Sequence, residues 1–270
     1  LSGITLTGAT LSSASGDIVL RGRAITDDGL NINGATITTT GAGTILFDAV
    51  GSHGLAFTTL PSTVQSSSGY ISINANGTSW EGLGDWGTSG TSGILSSSGT
   101  IQFATVAASS YGFVKSTAVG GGNFYIGSNA SGSSTSDIWV MSDSVALTQS
   151  TVGYIFKSTG NLVLLPYTAS TAINLGSVAA TTSLVLTPGY FYNATAASQN
   201  FQSGFASITV GNARDTGAFT FATAAVRPQD NLIAQSGAGQ INVNQNITMA
   251  AGKSLSFISN YLGAAANSSN

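Results

Sequence analysis

The sequence predicts an all-β protein folded as a parallel β-helix, a solenoid in which short strands stack coil upon coil. Apolar residues alternate with small or polar ones over short runs, which is typical of strands because successive side chains point to opposite faces. Between Gly160 and Phe221 these runs recur about every 11 residues, with one longer interval after Leu186 and no helical pattern, and such repetition indicates a solenoid. The apolar pairs there are Leu162/Leu164, Ile173/Leu175, Leu184/Leu186, Ile208/Val210 and Phe219/Phe221.

The same spacing runs through the rest of the chain. From the N-terminus, the predicted strands contain Ile4/Leu6, Ile18/Leu20, Ile32, Ile45/Phe47, Leu55/Phe57, Ile71/Ile73, Leu83, Leu95 and Ile101/Phe103. The later ones contain Phe113, Phe124/Ile126, Ile138/Val140, Leu147, Ile155, Leu232, Ile241/Val243 and Leu255/Phe257. Glycine precedes several of them, as at Gly3, Gly16 and Gly43, and we interpret these glycines as corners that need a positive φ.

An antiparallel sandwich is the alternative fold, because its strands also recur at short intervals. The dipeptides Asp28-Gly29, Asn33-Gly34 and Asn76-Gly77 are typical of the tight turns that join antiparallel strands. However, the repeat covers nearly the whole chain, and the separators are uniformly small, which favours corners that stack on equivalent corners. The parallel β-helix is therefore the preferred interpretation.

In a β-helix, two or three strands make one coil of roughly 22 to 30 residues, so we expect about ten coils in a rod on the order of 50 Å long. Residues 1–258 are predicted to form a single shaft. Residues 259–270 lose the pattern and are predicted to be a frayed end or a linker. Side chains expected to face water include Thr5, Asn174, Thr209, Thr220 and Asn242.

The composition excludes several classes of function. Charged residues make up 6% of the chain, and the seven lysines and arginines are spread singly. Without a basic patch to neutralise phosphates, we expect no nucleic-acid partner. No apolar run approaches the roughly 18 residues of a membrane span, so we expect no membrane insertion. The absence of cysteine excludes disulfides and thiolate metal sites, and we expect no metal and no cofactor.

Part of the sequence resembles a known family. Residues 160–257, especially LVLLPYTASTAINLG, SLVLTPGYF, SITVGNARDTGAFTF and NLIAQSGAGQINVNQNITMAAGKSLSF, resemble repeat regions of filamentous-haemagglutinin-like exoproteins. These are bacterial adhesins exported by two-partner secretion, with relatives among autotransporter passengers. The opening segment, ITLTGATLSSASGDIVLRGRAI, resembles these repeats in its pattern of residues, whereas between Ser62 and Ser150 the resemblance is one of composition alone.

The resemblance implies a right-handed parallel β-helix at the bacterial cell surface or outside the cell, with a role in attachment or filament building. The Asn-Pro-containing signature of the family's amino-terminal secretion domain is not visible in this sequence. The chain also begins at Leu1 without methionine. We therefore expect a processed product or an excised shaft segment.

One locally unusual stretch runs from Trp80 to Trp86, with the only glutamate, Glu81, and a nearby aspartate, Asp85. Two carboxylates beside aromatic platforms are what a glycosidase uses to bind and cleave a sugar. The nearest basic residue is Lys115, however, whereas such enzymes usually line a groove with several acids and basic residues. We favour a corner loop packed on the shaft and keep Trp80, Glu81, Asp85 and Trp86 as candidate contacts for a sugar or partner.

Other candidate motifs have simpler interpretations. The single histidine, His53, lies near Asp48 and Ser52, but proximity in sequence does not make a catalytic triad, and a corner histidine is preferred. Asp27 and Asp28 lack the spacing of a calcium loop and are interpreted as solvated corner carboxylates. Residues 252–254 imitate the end of a phosphate loop, but the required earlier glycine is missing, so a turn before the last strand is expected.

We therefore predict an extracellular structural or adhesive protein without catalytic activity, a shaft or filament segment that associates head to tail or continues in a longer chain, with a host or matrix glycan as a possible partner. The alternative is a β-helical module, resembling a phage tailspike, that binds or cleaves carbohydrate. Clustering of Glu81, Asp85 and Asp48 in one groove would favour the alternative, and their separation would oppose it.

Overall fold

The computed structural model shows an all-β chain folded as a parallel β-solenoid of about nine turns, as the alternating pattern predicts. The structure describes residues 1–87, 90–115, 122–149, 152–192 and 199–260. Within them, the only helix is the single turn α1 (Pro188–Phe191). We number the coils one to nine from the N-terminus.

Each of the first five coils consists of three strands. These are β1 (Ile4–Thr7), β2 (Thr10–Ser13), β3 (Ile18–Arg23), β4 (Leu30–Asn33), β5 (Thr36–Thr39), β6 (Ile45–Gly51), β7 (Leu55–Thr59), β8 (Thr63–Ser66), β9 (Ile71–Gly77), β10 (Leu83–Gly87), β11 (Ser92–Ser96), β12 (Ile101–Ala107), β13 (Phe113–Lys115), β14 (Phe124–Gly127) and β15 (Ile138–Ser142).

The later coils are less regular. The sixth contains β16 (Val145–Ala146), β17 (Thr148–Gln149), β18 (Val152–Lys157) and β19 (Asn161–Leu165), and the seventh contains β20 (Ile173–Leu175), β21 (Leu184–Leu186), α1 and β22 (Ser207–Val210). The eighth contains β23 (Phe219–Phe221) and β24 (Leu232–Ser236), and the ninth contains β25 (Ile241–Val243) and β26 (Leu255–Ser259).

Equivalent strands of successive coils pair in parallel and form the walls of the solenoid. The first sheet has the order β1-β4-β7-β10-β13-β16, and the second has β17-β18-β14-β11-β8-β5-β2. The third, β26-β24-β22-β19-β15-β12-β9-β6-β3, receives a strand from every coil and runs the whole length. A fourth sheet, β21-β20-β23-β25, belongs to the last three coils. Only β17 pairs antiparallel, with β18, among the described strands.

The core is a set of inward columns, because the register places apolar residues of successive coils directly above one another. One column of the third sheet consists of Ile18, Ile45, Ile71, Ile101, Ile138, Leu162, Ile208, Leu232 and Leu255. Each fully buried aliphatic side chain contributes about 1.5–3 kcal/mol, so these columns dominate the stability. The predicted alternation is confirmed at Ile173, which is buried, and at Asn174, which is half-buried on the outer face.

Glycine is needed at the corners for a different reason from the one expected. The amide of Gly69 donates to Oγ of Ser66 at 2.9 Å, and a Cβ on Gly69 would lie 2.0 Å from the carbonyl oxygen of Gly43 one coil below. The expectation of a positive φ at Gly3, Gly16 and Gly43 is wrong, because the positive-φ glycines of the described residues lie elsewhere. At Gly3, Gly43 and Gly69 the backbones of neighbouring coils approach so closely that no side chain fits, whereas at Gly16 a Cβ would meet only Oγ of Ser13 at 3.1 Å.

The seventh coil contains a detour that the repeat did not predict. Strand β20 pairs with β23 of the next coil and with β21, while β21 contacts β16 of the sixth coil. The chain therefore first forms β20 and then returns to place β21 between β20 and the sixth coil. It continues through α1 and rejoins the second wall at a parallel bridge between Phe156 and Phe201. This detour accounts for the long interval between Leu186 and Ile208.

The two end coils leave the inward columns partly open. Core-facing residues that are only partly buried are Ile4, Leu6, Leu11, Ile18 and Leu20 in the first coil and Ile241, Ile247, Met249 and Leu255 in the ninth. The last strand ends at Ser259, and residues 261–270 lie outside the described residues, so their assignment as a frayed end or linker stays a prediction. None of the described helical structure has the length and apolar character of a membrane span.

Candidate functional site

The corner between the third and first sheets brings together charged side chains from three successive coils. The amide of Gly29 donates to the carbonyl of His53 at 2.9 Å, and the amide of Gly54 donates to that of Glu81 at 3.0 Å. These bonds place Asp28, His53 and Glu81 at equivalent positions of the second, third and fourth turns. Their backbones are therefore spaced by the inter-strand distance of about 4.8 Å.

His53 lies between two carboxylates. Its Nδ1 is 2.9 Å from Oδ1 of Asp28, and its Nε2 is 3.5 Å from Oε2 of Glu81. Asp28 also accepts a hydrogen bond of 2.6 Å from Nδ2 of Asn31. The side chain of His53 is 30% exposed, so solvent reaches the imidazole between its two acidic neighbours.

Two tryptophans flank this imidazole. The ring of Trp80 stacks on it with centroids 6.4 Å apart and an interplanar angle of 25°, and Trp86 meets it edge-on at 5.0 Å. Trp86 lies over Gly84, where a Cβ would lie 2.2 Å from the indole, so the glycine makes room for the ring. Trp80 is 54% exposed. We call Asp28, His53, Trp80, Glu81 and Trp86 the corner cluster.

The corner cluster combines a flat apolar surface with hydrogen-bonding groups. Oε1 of Glu81 accepts a bond of 3.0 Å from the hydroxyl of Ser110 in the next coil, which orients the carboxylate. Aromatic faces suit the apolar faces of sugar rings or a cation, and the carboxylates accept from hydroxyl or amino groups. The carboxylates also disfavour an acidic ligand.

The structure separates the residues of the Trp80–Trp86 stretch, whose role as contacts for a sugar or partner stays a prediction. The structure brings Trp80, Glu81 and Trp86 together on the outside, but Asp85 lies inside the solenoid and is 2% exposed. The expectation that Asp85 belongs to an outer corner is wrong, because Leu83 and Asp85 are two residues apart on one strand and both point inward. Asp85 cannot contact an external ligand there.

The partner of Asp85 is Lys115, which occupies the same position one coil further on. The inward column that contains them reads Leu6, Ile32, Phe57, Asp85 and Lys115. We call Asp85 and Lys115 the interior pair. A sequence signal for it exists in the aligned segments GITL, GLNI, GLAF, GLGD and GFVK, which start at residues 3, 29, 54, 82 and 112. The last position of this repeat is apolar three times and is then aspartate and lysine.

Asp48 and Ser52 do not form a triad with His53. Asp48 lies on the outer face of the third sheet, where its Oδ2 is 3.2 Å from Nη2 of Arg23. His53 does occupy a corner, as predicted, but its carboxylate partner is Asp28. The three carboxylates whose clustering would favour an enzyme, Glu81, Asp85 and Asp48, therefore lie at a corner, in the interior and on an outer face.

Two smaller expectations have different outcomes. The interpretation of Asp28 as a solvated carboxylate is wrong, because Asp28 is 7% exposed and bonded to His53, whereas the side chain of Asp27 is 44% exposed. Residues 252–254 do form a turn before the last strand, with Gly252 at a φ of +74°. There Lys253 Nζ lies 3.1 Å from Oδ1 of Asp230.

Among the described residues, no group of three or more histidine, aspartate or glutamate side chains is arranged to hold a metal ion. Comparisons with protein-family models, curated proteins and solved structures found no match to this chain. The parallel β-solenoid is thus established by the structure itself, without a relative to assign a function.

Proposed function

We propose that the chain is a β-helical shaft segment of an extracellular bacterial structural protein, used for surface attachment or for building a matrix. The observation on which this proposal mainly rests is the openness of both end coils. The inward apolar side chains are buried in the middle coils but only partly buried in the first and ninth coils. Each strand of an end coil has a neighbouring coil on one side only. Such faces suit further coils stacked end to end.

The low charge of the chain supports stacking, because few like charges would repel across a junction. At the C-terminal end, Val243, Phe257 and Ile258 are exposed large apolar residues. A head-to-tail contact between identical copies does not close on itself, so it generates a filament. The resemblance to filamentous-haemagglutinin-like repeats adds weight to a location at the bacterial surface.

Electron microscopy of the native material tests this proposal. We expect rods or filaments with the width of one solenoid and lengths that exceed one segment. Compact particles with the length of a single nine-turn segment would contradict it.

The corner cluster favours a second function, the contact with a host or matrix glycan. Trp80 offers an exposed aromatic face, and Glu81 supplies a carboxylate acceptor beside it, while the buried Asp28 holds His53 in place. The chemistry favours neutral or amino sugars over acidic ones. We further propose that this contact is non-catalytic, since Glu81 faces His53 while Asp85 and Asp48 lie elsewhere.

Tryptophan fluorescence with a panel of neutral, amino-sugar and uronic-acid oligosaccharides tests the contact. We expect a neutral or amino-sugar ligand to bind the natural protein and to lose at least most of its affinity in Trp80→Ala. Trp139, 38% exposed on the outer face of the third sheet, supplies the matched control, so Trp139→Ala should bind normally. Equal losses in the two variants would contradict the site, and release of reducing ends that Glu81→Gln abolishes would contradict the non-catalytic role.

A further inference from the structure

The interior pair has the composition and placement of an amide cross-link. We propose that Nζ of Lys115 and the carboxyl group of Asp85 condense to form an intrachain amide that joins the fourth and fifth coils. This modification is independent of any ligand at the corner cluster and of end-to-end stacking.

The first support is placement. Asp85 and Lys115 are register partners on adjacent parallel strands, 30 residues apart in sequence, and both side chains point into the solenoid. Nζ of Lys115 donates directly to Oδ2 of Asp85. The side chains are 3% and 2% exposed, so the reacting groups are held together by strands that cannot move apart without opening the core. Such positioning replaces a bimolecular encounter with an intramolecular one.

The second support is the apolar surroundings. Phe57 precedes Asp85 in the column, and Phe113 lies two residues before Lys115 on the same strand. Phe57 contacts Phe124 at 4.9 Å between centroids, and Phe113 contacts Tyr154 at 4.6 Å. Burial, and then the nearby carboxylate of Asp85, raise the pKa of Tyr154 well above its ordinary value.

The condensation proceeds through the neutral forms of the two groups. Removing a carboxylate and an ammonium from water is costly, and a proton that passes from Nζ to the carboxylate leaves an amine and a carboxylic acid. The amine has a free electron pair, and the acid has a hydroxyl that can leave as water. Water excluded from the site does not return to hydrolyse the product.

The reaction balances without another reactant. The nitrogen electron pair of Lys115 attacks Cγ of Asp85 and forms the C–N bond, a proton passes from nitrogen to the departing oxygen, and the C–O bond breaks. The ammonium and carboxylate together become one secondary amide and one water molecule, with no change in oxidation state. The net charge of the chain is unchanged, because one positive and one negative charge disappear.

The cross-link would join two coils of a cysteine-free shaft by a covalent bond. The chain contains no cysteine, so no disulfide can hold its coils together. An amide between residues 85 and 115 would close a loop of 30 residues and restrict the unfolded chain as a disulfide does. The pair of Lys253 and Asp230 offers an internal contrast, because Lys253 is 33% exposed and water reaches it. We expect that second pair to remain ionic.

Intact-mass spectrometry of the denatured full chain tests the proposal directly. We expect the natural protein to be lighter than its sequence by the mass of one water molecule. The variant Lys115→Arg keeps the positive charge but lacks the nucleophilic amine, so it should have its full sequence mass. Proteolysis of the natural protein should yield one branched peptide that contains both Asp85 and Lys115.

The natural protein at its full sequence mass would overturn the proposal. A water loss that persists in Lys115→Arg would also overturn it, since Asp28-Gly29 can lose water by cyclising on its own backbone. Peptide mapping separates the two sources, because cyclisation at Asp28 leaves a linear peptide. The first of these outcomes and the branched peptide are measured on the natural chain, so they do not depend on whether Lys115→Arg folds.

Discussion

The corner cluster and the interior pair both contain charged residues of successive coils, and Glu81 of the cluster is only four residues from Asp85 of the pair in sequence. At the corner, His53 and Glu81 are partly exposed to solvent, Asp28 is buried against His53, and two indole rings flank the imidazole. Inside, Asp85 and Lys115 interrupt a column that is otherwise apolar. Charged side chains thus lie in two opposite environments, one at a solvent-accessible corner and one in the interior.

The difference teaches that position within the coil decides the role of a charge. A partly exposed corner residue such as Glu81 keeps access to water, so its charge costs little and remains available to a ligand. A residue two positions after an inward leucine is carried into the core by the strand period, whatever its polarity. The next coil supplies Lys115 at the same position, which gives the buried carboxyl group of Asp85 a partner.

The largest effect is expected where a charge enters the interior without a complement. Ile173 is register partner to Leu184 and Phe219, which offer no counter-charge, so Ile173→Asp should lower the free energy of unfolding by more than about 4 kcal/mol. Asn174→Asp, on the outer face, should change it by less than about 0.5 kcal/mol. Thermal unfolding followed by circular dichroism measures both. Equal effects would contradict the inside–outside assignment.

Removing one member of the interior pair should have the next largest effect. Lys115→Met removes the group with which Asp85 is paired, leaves its carboxylate buried without a complement, and should cost about 3–5 kcal/mol by denaturant unfolding. The double variant Asp85→Leu/Lys115→Met should recover much of that loss, because two apolar side chains fit the column. Lys253→Met is the control. Its loss should be smaller because Lys253 is partly exposed and Asp230 also accepts from the amides of Gly204 and Phe205. A larger loss in the control would refute the contrast.

The corner cluster should be nearly neutral for stability. Glu81→Gln keeps the acceptor for Ser110 and removes one charge beside a partly exposed imidazole, so it should cost at most about 1 kcal/mol. Under the glycan proposal it should nevertheless weaken sugar binding. A stability loss as large as that of Lys115→Met would show that the cluster has a structural role like that of the interior pair.

A buried aspartate in the later coils gives a test by pH. Burial raises the pKa of Asp215 to about 6, while hydrogen bonds from Asn212 oppose the increase. Since the folded state holds this proton more tightly, the contribution of Asp215 to stability is present below about pH 4 and is lost as pH rises through about 6. Asp215→Asn cannot ionise. The melting temperature of this variant minus that of the natural protein should therefore increase from about pH 4 to about pH 7. A constant or decreasing difference would be inconsistent with the raised pKa.

The sequence was sufficient for the fold class and for much of the core. Alternation identified inward residues such as Ile173, and the local segment identified Trp80, Glu81 and Trp86 as neighbours. It could not show that His53 joins them, because this depends on coil lengths that vary, with register steps of 25 residues from Leu30 to Leu55 and 28 from Leu55 to Leu83. The local charge of Asp85 suggested a surface, although its place in the repeated segments indicated the interior.

The detour in the seventh coil could not be predicted from the sequence either. Strands β20 and β21 are spaced like successive members of the repeat, so their intervals give no sign that the second returns toward the sixth coil. The corners show a similar limit. Their glycines were recognised, but the close approach between coils at Gly69 follows from stacking and not from a local backbone preference.

The claim that the open end coils are stacking surfaces is tested most directly by particle size over a concentration series, measured by sedimentation velocity at neutral pH. We expect the mean particle size of the natural chain to increase with concentration. Phe257 lies in the inward column of the ninth coil and is 46% exposed, so Phe257→Lys should remain small at every concentration if its thermal unfolding shows an intact fold. A natural chain that stays a monodisperse monomer at all concentrations would contradict the account.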